Sequence, residues 1–409
     1  MLDLPTLSVH FIERLLLLTP DDMTAHSFLW ALASSPDAKA AGIDAYRRLS
    51  VTDVRSSHKL AALTGEGRMA AEGDASYARK LYDDMADRFE GKLVNCLGYR
   101  GPWILHSMAM DAVTLGLCPE LPPVGYWKVL DMGCGSGLVG RVFQNFVREG
   151  AEAIPMPDSA EPMVIIEQAQ SATAEDEQLL ETHPTEKSVL LLDGSTASSV
   201  EVRTALSSVS QGVIGVDVSE NIARLAVRNG GYSEVICGDL REVLHCISFP
   251  NDTTVSTSTM GSSGITSRSG LFDMVIAADT FIYIGVLGAV FKRVAATLKA
   301  NGLFLFSIED LATSPMKSEL QFSDDENALD CDRSSKSANS SFNGDEPIGA
   351  VPGWGAQLLT SARFAHSEEY ISLLASHCGF AIAAKKSYRL RLEGTVALNG
   401  LFYILQKCI

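Results

Sequence analysis

The stretch Asp131-Met-Gly-Cys-Gly-Ser-Gly137 sets a carboxylate two residues ahead of three alternating glycines. Glycine enters left-handed dihedrals without penalty and carries no Cβ, so such a loop can bring backbone N–H groups close to a ligand. Gly135, Gly137 and Gly140 also satisfy the G-x-G-x-x-G spacing of dinucleotide cradles, but the acid ahead of Gly133 sets this loop apart. Further acids close apolar runs: Asp217 ends Gly212-Val-Ile-Gly-Val-Asp217, Asp239 follows Glu234-Val-Ile-Cys-Gly238, and Asp279 ends Leu271-Phe-Asp-Met-Val-Ile-Ala-Ala-Asp279. A carboxylate at the C-terminal edge of a strand can accept hydrogen bonds from both hydroxyls of a ribose. Asp217, just ahead of a helix, has that place.

Regular elements must hold these residues. Val129 to Met132 reads as a short buried strand and Leu138 to Val147 has helical apolar spacing, giving strand, glycine loop, helix. Gly212–Asp217 reads as the next strand, followed by a helix over Val218–Arg228 with Ser219 as N-cap and Gly230-Gly231 as its stop. Ser188–Asp193 competes for that place. Asp217 follows Asp131 by 86 residues, against about 20 in the dinucleotide fold, so roughly sixty residues are looped out. Strands over Tyr232–Asp239, Leu271–Asp279 and Leu303–Ser307, with helices over Ala289–Lys299 and Ser367–Cys378, predict an α/β, Rossmann-like, doubly wound and mostly parallel sheet of seven strands. Phe380–Glu393 and Leu401–Leu405 form an antiparallel C-terminal hairpin. Insertions fall at about 150–210 (acidic, with prolines), 250–270 (Ser, Thr and Gly) and 312–352 (polar).

Residues 1–75 form a small all-helical region with an internal repeat: at an offset of 31, Leu18, Asp22, Leu29, Ala31 and Leu32 fall on Leu49, Asp53, Leu60, Ala62 and Leu63. Each copy reads as a helix end, an Asp-containing turn and a new amphipathic helix, near the period of tetratricopeptide hairpins. The 409 residues are 46% hydrophobic and 20% charged, with a formal net charge of −17. That balance argues against a general nucleic-acid surface. No apolar run reaches membrane-spanning length and the N-terminus has no basic start, so the expectation is a cytoplasmic protein. The eight cysteines include no C-x-x-C pair, so no metal site is expected. Cys134 reads as a small residue that a tight loop tolerates rather than as a nucleophile.

The order Asp-x-Gly-x-Gly-x-Gly at 131–137 resembles class I S-adenosylmethionine-dependent methyltransferases. The resemblance extends over about 76–409 and is nearest the predicted methyltransferases with tetratricopeptide repeats, through Tyr82-Asp-x-Met-Ala-x-x-Phe89, Leu97-Gly-Tyr-Arg-x-Pro102, Ala278-Asp-Thr-Phe-Ile-Tyr-Ile-Gly285, Arg363-Phe-Ala-His-Ser-x-x-Tyr370 and Leu390-Arg-x-Glu-Gly394. It implies S-adenosylmethionine as cofactor, held by Asp131, Gly133, Cys134, Gly135, Gly137, Asp217, Val218 and Asp279, with Asp239 accepting from the adenine amine and Leu240 touching the ring. Tyr82, with Tyr77 and Phe89, would lie in a covering helix. Methyl transfer needs a base only for an acceptor that must lose a proton. His366 is the first choice, then Tyr283 and Asp279, with Glu309 and Tyr370 also at the sheet's open edge and Arg363 suited to an acceptor carboxylate. The expected acceptor is a small molecule; the alternatives are a protein recruited by the N-terminal helices, or a non-catalytic adaptor.

Overall fold

The computed structural model describes residues 4–66, 73–86, 89–157, 190–191, 208–248, 270–314, 355–393 and 396–408, with 202, 204 and 206. Most of the three expected insertions, and the side chain of Phe89, lie outside the described residues. The chain divides into two compact units: Met1–Tyr77 with Ile282–Ala289 and Glu309–Leu374, and Ala78–Phe281 with Val290–Ile308 and Ala375–Ile409.

The larger unit is built on a sheet. Its strands are β1 (Lys128–Met132), β2 (Leu190–Leu191), β3 (Gly212–Asp217), β4 (Glu234–Cys237), β5 (Phe272–Ala277), β6 (Leu298–Glu309), β9 (Phe380–Glu393) and β10 (Val396–Lys407), in the order β2-β4-β3-β1-β5-β6-β10-β9. Seven of these have four residues or more; β2 is a dipeptide paired outside β4. The pairs β1/β3, β1/β5, β3/β4 and β5/β6 are parallel and β9/β10 is antiparallel. The architecture is Rossmann-like and ends in the reversed hairpin that the resemblance implied.

Every residue of β1, β3 and β5 is buried, as expected of parallel strands covered on both faces. Gly212–Asp217 takes the place beside β1, and of Ser188–Asp193 the described residues Leu190–Leu191 pair with β4. The winning segment is followed directly by a helix whose Ile222, Ala223 and Ala226 are buried, so strand and helix cover one another.

The helices of the N-terminal region are α1 (Leu4–Leu18), α2 (Met23–Ser34), α3 (Lys39–Leu49) and α4 (Val54–Thr64). The offset of 31 is visible in them. Leu18 and Leu49 end helices, and Asp22 and Asp53 cap the next ones, accepting from Ala25 N and from Arg55 N and Ser56 N. Val9, Leu16, Leu29, Tyr46 and Leu49 form the core between them. Replacing Asp53 with alanine removes the acceptor for Ser56 N (2.8 Å) and Ser56 Oγ (2.6 Å). It should cost about 1–2 kcal/mol in a thermal melt, as the loss of an N-cap does, with Asp53→Asn costing less.

Further helices are α5 (Ala75–Asp83), α6 (Gly101–Thr114), α7 (Leu138–Val142), α8 (Gln144–Val147), α9 (Glu220–Asn229), α10 (Leu240–Ser248), α11 (Gly288–Thr297) and α12 (Glu368–His377), beside short helical turns at Phe89–Gly91, Lys92–Cys96 and Phe281–Tyr283, and a short hairpin joins β7 (Ala356–Leu358) to β8 (Phe364–His366). The apolar stripe Leu81, Met85, Phe89, Leu93 predicts one helix, yet α5 stops at Asp83. The Asp83 carbonyl accepts from Asn221 Nδ2 (3.2 Å) and its carboxylate from Ser219 Oγ (2.5 Å) and Asn221 N (3.3 Å). Capping of α9 by an acid replaces continuation of α5.

Candidate functional site

Between β1 and α7 the loop glycines 133, 135 and 137 have φ of 78°, 53° and 96°, the left-handed turn that the sequence predicts. Two glycines are also needed for space. A Cβ on Gly133 would lie 2.5 Å from Thr280 Oγ1, and one on Gly140 2.5 Å from the Tyr232 ring. The direction of the amides differs from expectation. Gly133 N and Cys134 N donate to Val216 O (2.7 and 2.9 Å), Gly137 N to Cys134 O (3.0 Å) and Gly135 N to Asp217 Oδ2 (2.9 Å). Three of these N–H groups bind the loop to β3 and that of Gly137 closes the turn on itself, rather than opening toward a ligand. Cys134 is buried, and burial pushes its thiol well above the usual range, as suits a space-filling residue.

Four adjacent parallel strands, β4, β3, β1 and β5, carry an aspartate within two residues of their C-terminal ends: Asp239, Asp217, Asp131 and Asp279. The chain leaves β1 toward β3 on one side and β5 on the other. A crevice at such a switch point is where ligands bind in open α/β sheets.

Asp217 is the best-placed acid. Oδ1 accepts from Ser219 N (3.0 Å) and Oδ2 from Gly135 N (2.9 Å). Burial raises its carboxyl to about 6 against the opposing pull of these N–H groups. Each carboxylate oxygen has further acceptor capacity, so a ribose diol can be bound in addition.

Asp131 lies beneath the loop, wholly buried, with Oδ2 accepting from Tyr232 Oη (2.6 Å) and Oδ1 without a partner. Burial raises it to about 7, offset by the Tyr232 hydrogen bond. Asp239 departs from its expected role as a free acceptor for an adenine amine: Arg241 engages both of its oxygens, Nη2 at 2.6 Å and Nε at 3.0 and 3.1 Å. Leu240 and Val218 are half-buried beside it and Asp217, and Val218 O accepts from Arg79 Nε (3.1 Å).

Asp279 has φ 58°, a conformation that non-glycine residues seldom adopt. It is held from several sides: its N donates to Ser307 Oγ (2.9 Å), its oxygens accept from Arg391 Nη1 (3.0 and 3.3 Å), and the next residue, Thr280, donates to Met132 O (2.6 Å).

The expected base is corrected. His366 is wholly buried on β8, with Nε2 against Ile284 O (3.0 Å) and Gly285 O (3.2 Å). Two carbonyls can only accept, so the ring carries its proton there, and burial lowers its pKa to about 4 despite them. It ties β8 to the 284–285 turn and does not stand at an open edge. Tyr370 is buried and accepts from Leu287 N (2.8 Å), and Glu309 is buried with Ser314 Oγ at 3.2 Å. Tyr77 is not a covering residue: its ring stacks on His58 at 3.8 Å. Tyr283, half-buried, and Arg363 belong to the same unit as His366; Tyr82, half-buried on α5, belongs to the unit of the glycine loop.

Three residues join the site without having been assigned a role by the sequence. Tyr232 accepts from Gly140 N (3.0 Å) and donates to Asp131, pinning loop to acid. Arg391 is the buried partner of Asp279. Tyr99 is 3% exposed, and its hydroxyl is raised well above its usual range by burial and then by Asp279 and Asp131. Tyr99 and Arg391 fall inside Leu97–Pro102 and Leu390–Gly394, which carry part of the family resemblance. Tyr232 has no comparable signal.

No family model matches the chain, and no curated protein matches it. Among solved structures it is similar to magnesium protoporphyrin IX methyltransferase from Synechocystis PCC 6803 with bound SAM (13% identity, covering 83% of this chain and 99% of that one, TM-score 0.35). It is also similar to a SAM-dependent methyltransferase from Methanosarcina mazei (15%, 71% and 96%, 0.29) and to a possible histamine N-methyltransferase from Thermotoga maritima (10%, 80% and 99%, 0.31). Each of the three is a methyltransferase.

Proposed function

We propose that this chain is an S-adenosylmethionine-dependent methyltransferase acting on a small-molecule acceptor. The observation that carries the reading is the hydrogen bond from Gly135 N to the Asp217 carboxylate. It joins an Asp-x-Gly-x-Gly-x-Gly loop to a strand-end acid on the neighbouring strand, 82 residues away. The residues fit the cofactor: Asp217 retains acceptor capacity for a ribose and Asp131 Oδ1 is a buried acceptor without a partner. Asp217 would hold the ribose, Leu240 the adenine face, and Asp131 and Asp279 the positively charged end.

The bound cofactor supplies an activated methyl group and its own leaving group. What the protein adds is position. The loop, Thr280 and Tyr232 fix Asp131 and Asp279 in the sheet, and the polar groups at the end of β5 are enclosed: Tyr99 and Arg391 are buried and Asp279 nearly so. Such an enclosure suits a small acceptor better than a folded protein. His366, foreseen as the base, is buried with its ring nitrogen against two carbonyls and does not serve as one there. Among the described residues no helix is long and apolar enough to cross a membrane.

Calorimetric titration of the purified protein with S-adenosylmethionine, its demethylated product and a nicotinamide dinucleotide tests the reading. Micromolar binding of the first two and none of the third is expected. Binding of the dinucleotide alone would sink it in favour of a nicotinamide-dependent enzyme, and binding of no ligand would sink it and leave the adaptor reading in front.

A further inference from the structure

We infer that the outer face of α1 is a self-association surface, on which a second copy of this chain lays its own α1 antiparallel. The helix is apolar on two sides. Val9, Ile12 and Leu16 turn inward to the core of the N-terminal helices, whereas Leu4, Leu7, Phe11, Leu15 and Leu18 are exposed, by between 37% and 81%. At 100° per residue these five fall within an arc of about 80°, one stripe along the whole helix. A helix that is hydrophobic all round is ordinarily covered all round. Charge does not interrupt the stripe. The single acid of α1, Glu13, is buried and held by Arg48 at 2.5 and 2.8 Å, so the helix offers solvent no carboxylate in a chain of net charge −17.

The spacing identifies the occupant. Counted from Phe11, the leucines stand at −7, −4, +4 and +7, so the stripe reads the same from either end. Two copies related by a twofold axis beside Phe11 bring Leu4 level with Leu18 of the second copy, Leu7 level with its Leu15, and Phe11 level with its Phe11. Every apolar residue of the stripe then meets another, which is what a self-complementary interface requires. Arg14 comes level with Ser8 of the second copy, so the one arginine of the helix faces a hydroxyl and not its own kind. An unrelated partner would impose no such symmetry on the two halves of α1. Five large side chains exposed to this degree make a strip of roughly 500 Å² per copy. Two strips face to face bury about 1,000 Å², the lower end for a specific interface, so the dimer should be reversible with a micromolar dissociation constant.

Sedimentation equilibrium of the full chain from about 1 to 100 μM reads the association, with circular dichroism as the check on folding. The parent should pass from monomer to dimer across that range. Phe11→Glu sets two carboxylates against each other at the twofold axis and should raise the dissociation constant about a hundredfold or more. Its thermal melt should match the parent's, because the side chain is exposed. Leu17→Glu makes the same change of charge at an exposed position about 120° round the helix from Phe11, and should leave the dissociation constant within about threefold of the parent's. The antiparallel register has a test of its own. Leu7→Lys and Leu15→Glu should each be monomeric alone, and an equimolar mixture of the two should associate, since the ammonium introduced in one copy comes level with the carboxylate introduced in the other. Should Phe11→Glu fail to fold, this mixed pair decides. A parent chain that stays monomeric at the highest concentration, a dimer that Phe11→Glu leaves intact, a mixed pair that stays monomeric, or a monomer that instead binds phosphatidylserine vesicles through the stripe would each overturn the inference. No cofactor enters the experiment, so its outcome is independent of the methyltransferase reading.

Discussion

Replacing Asp217 with alanine is expected to weaken S-adenosylmethionine binding by about a hundredfold or more. The carboxylate stands at the end of β3, accepting from Ser219 N and Gly135 N, with capacity left for two ribose hydroxyls. Hydrogen bonds to a charged group are worth roughly 1.5–3 kcal/mol each, so losing two corresponds to a hundredfold or more. The variant also frees Gly135 N, which lets the loop move from β3. Asp217→Asn separates the two effects. Its carbonyl oxygen keeps one N–H partner, and the fold of the loop with it, while the charge is lost, so an intermediate loss of about tenfold is expected. The check is calorimetry at pH 8, where the carboxyl with a value of about 6 is ionised, alongside circular dichroism. An alanine variant that binds as tightly as the parent would remove Asp217 from the site and with it the observation on which the functional reading stands.

Local pattern explains what could be read from the chain. The glycine loop, the strand ending at Asp217 and the Ser219 cap are each written within a few consecutive residues, and each is where the pattern places it. The choice of Gly212–Asp217 over Ser188–Asp193 was legible for the same reason, since the acid of the first stands directly ahead of an amphipathic helix. Partners distant in the chain were not legible. Tyr232 meets Asp131 across 101 residues, and Arg391 meets Asp279 across 112; nothing in the spacing of either side chain announces its partner. His366 was misread because exposure is a property of the fold. A histidine that follows an arginine by three residues and stands just ahead of an acidic helix start has the composition of a catalytic edge, yet the chain buries it against two carbonyls. The break in the helix at Asp83 has the same origin: the stripe Leu81, Met85, Phe89 is locally consistent, and a tertiary contact to Ser219 and Asn221 overrides it.

Asp131 predicts the second large effect, a stability that falls as pH rises. Its carboxyl is raised by burial to about 7, against about 3.9 in an unfolded chain. Between roughly pH 4 and 7 the native state therefore holds a proton that the unfolded state has released, and ν_U − ν_N is negative. The stabilisation is present in full below the unfolded value and is lost as pH climbs through the folded one. Its ceiling is on the order of 4 kcal/mol. Asp217, raised to about 6, adds a smaller loss of the same sign that is complete one unit earlier. The net charge of −17 also disfavours the compact state at high pH, so the test is a difference. Denaturant midpoints of the parent and of Asp131→Asn are compared from pH 5 to 8. The amide can still accept from Tyr232, and the variant should gain on the parent steadily up to about pH 7 and then run parallel to it. Curves parallel over the whole range would show that the acid titrates normally. A cation bound beside Asp131 favours the ionised form, so affinity for S-adenosylmethionine should climb over the same window in which the free protein loses stability. A buried acid with one oxygen left open is costly to the empty fold for the same reason that it is useful to a positively charged ligand.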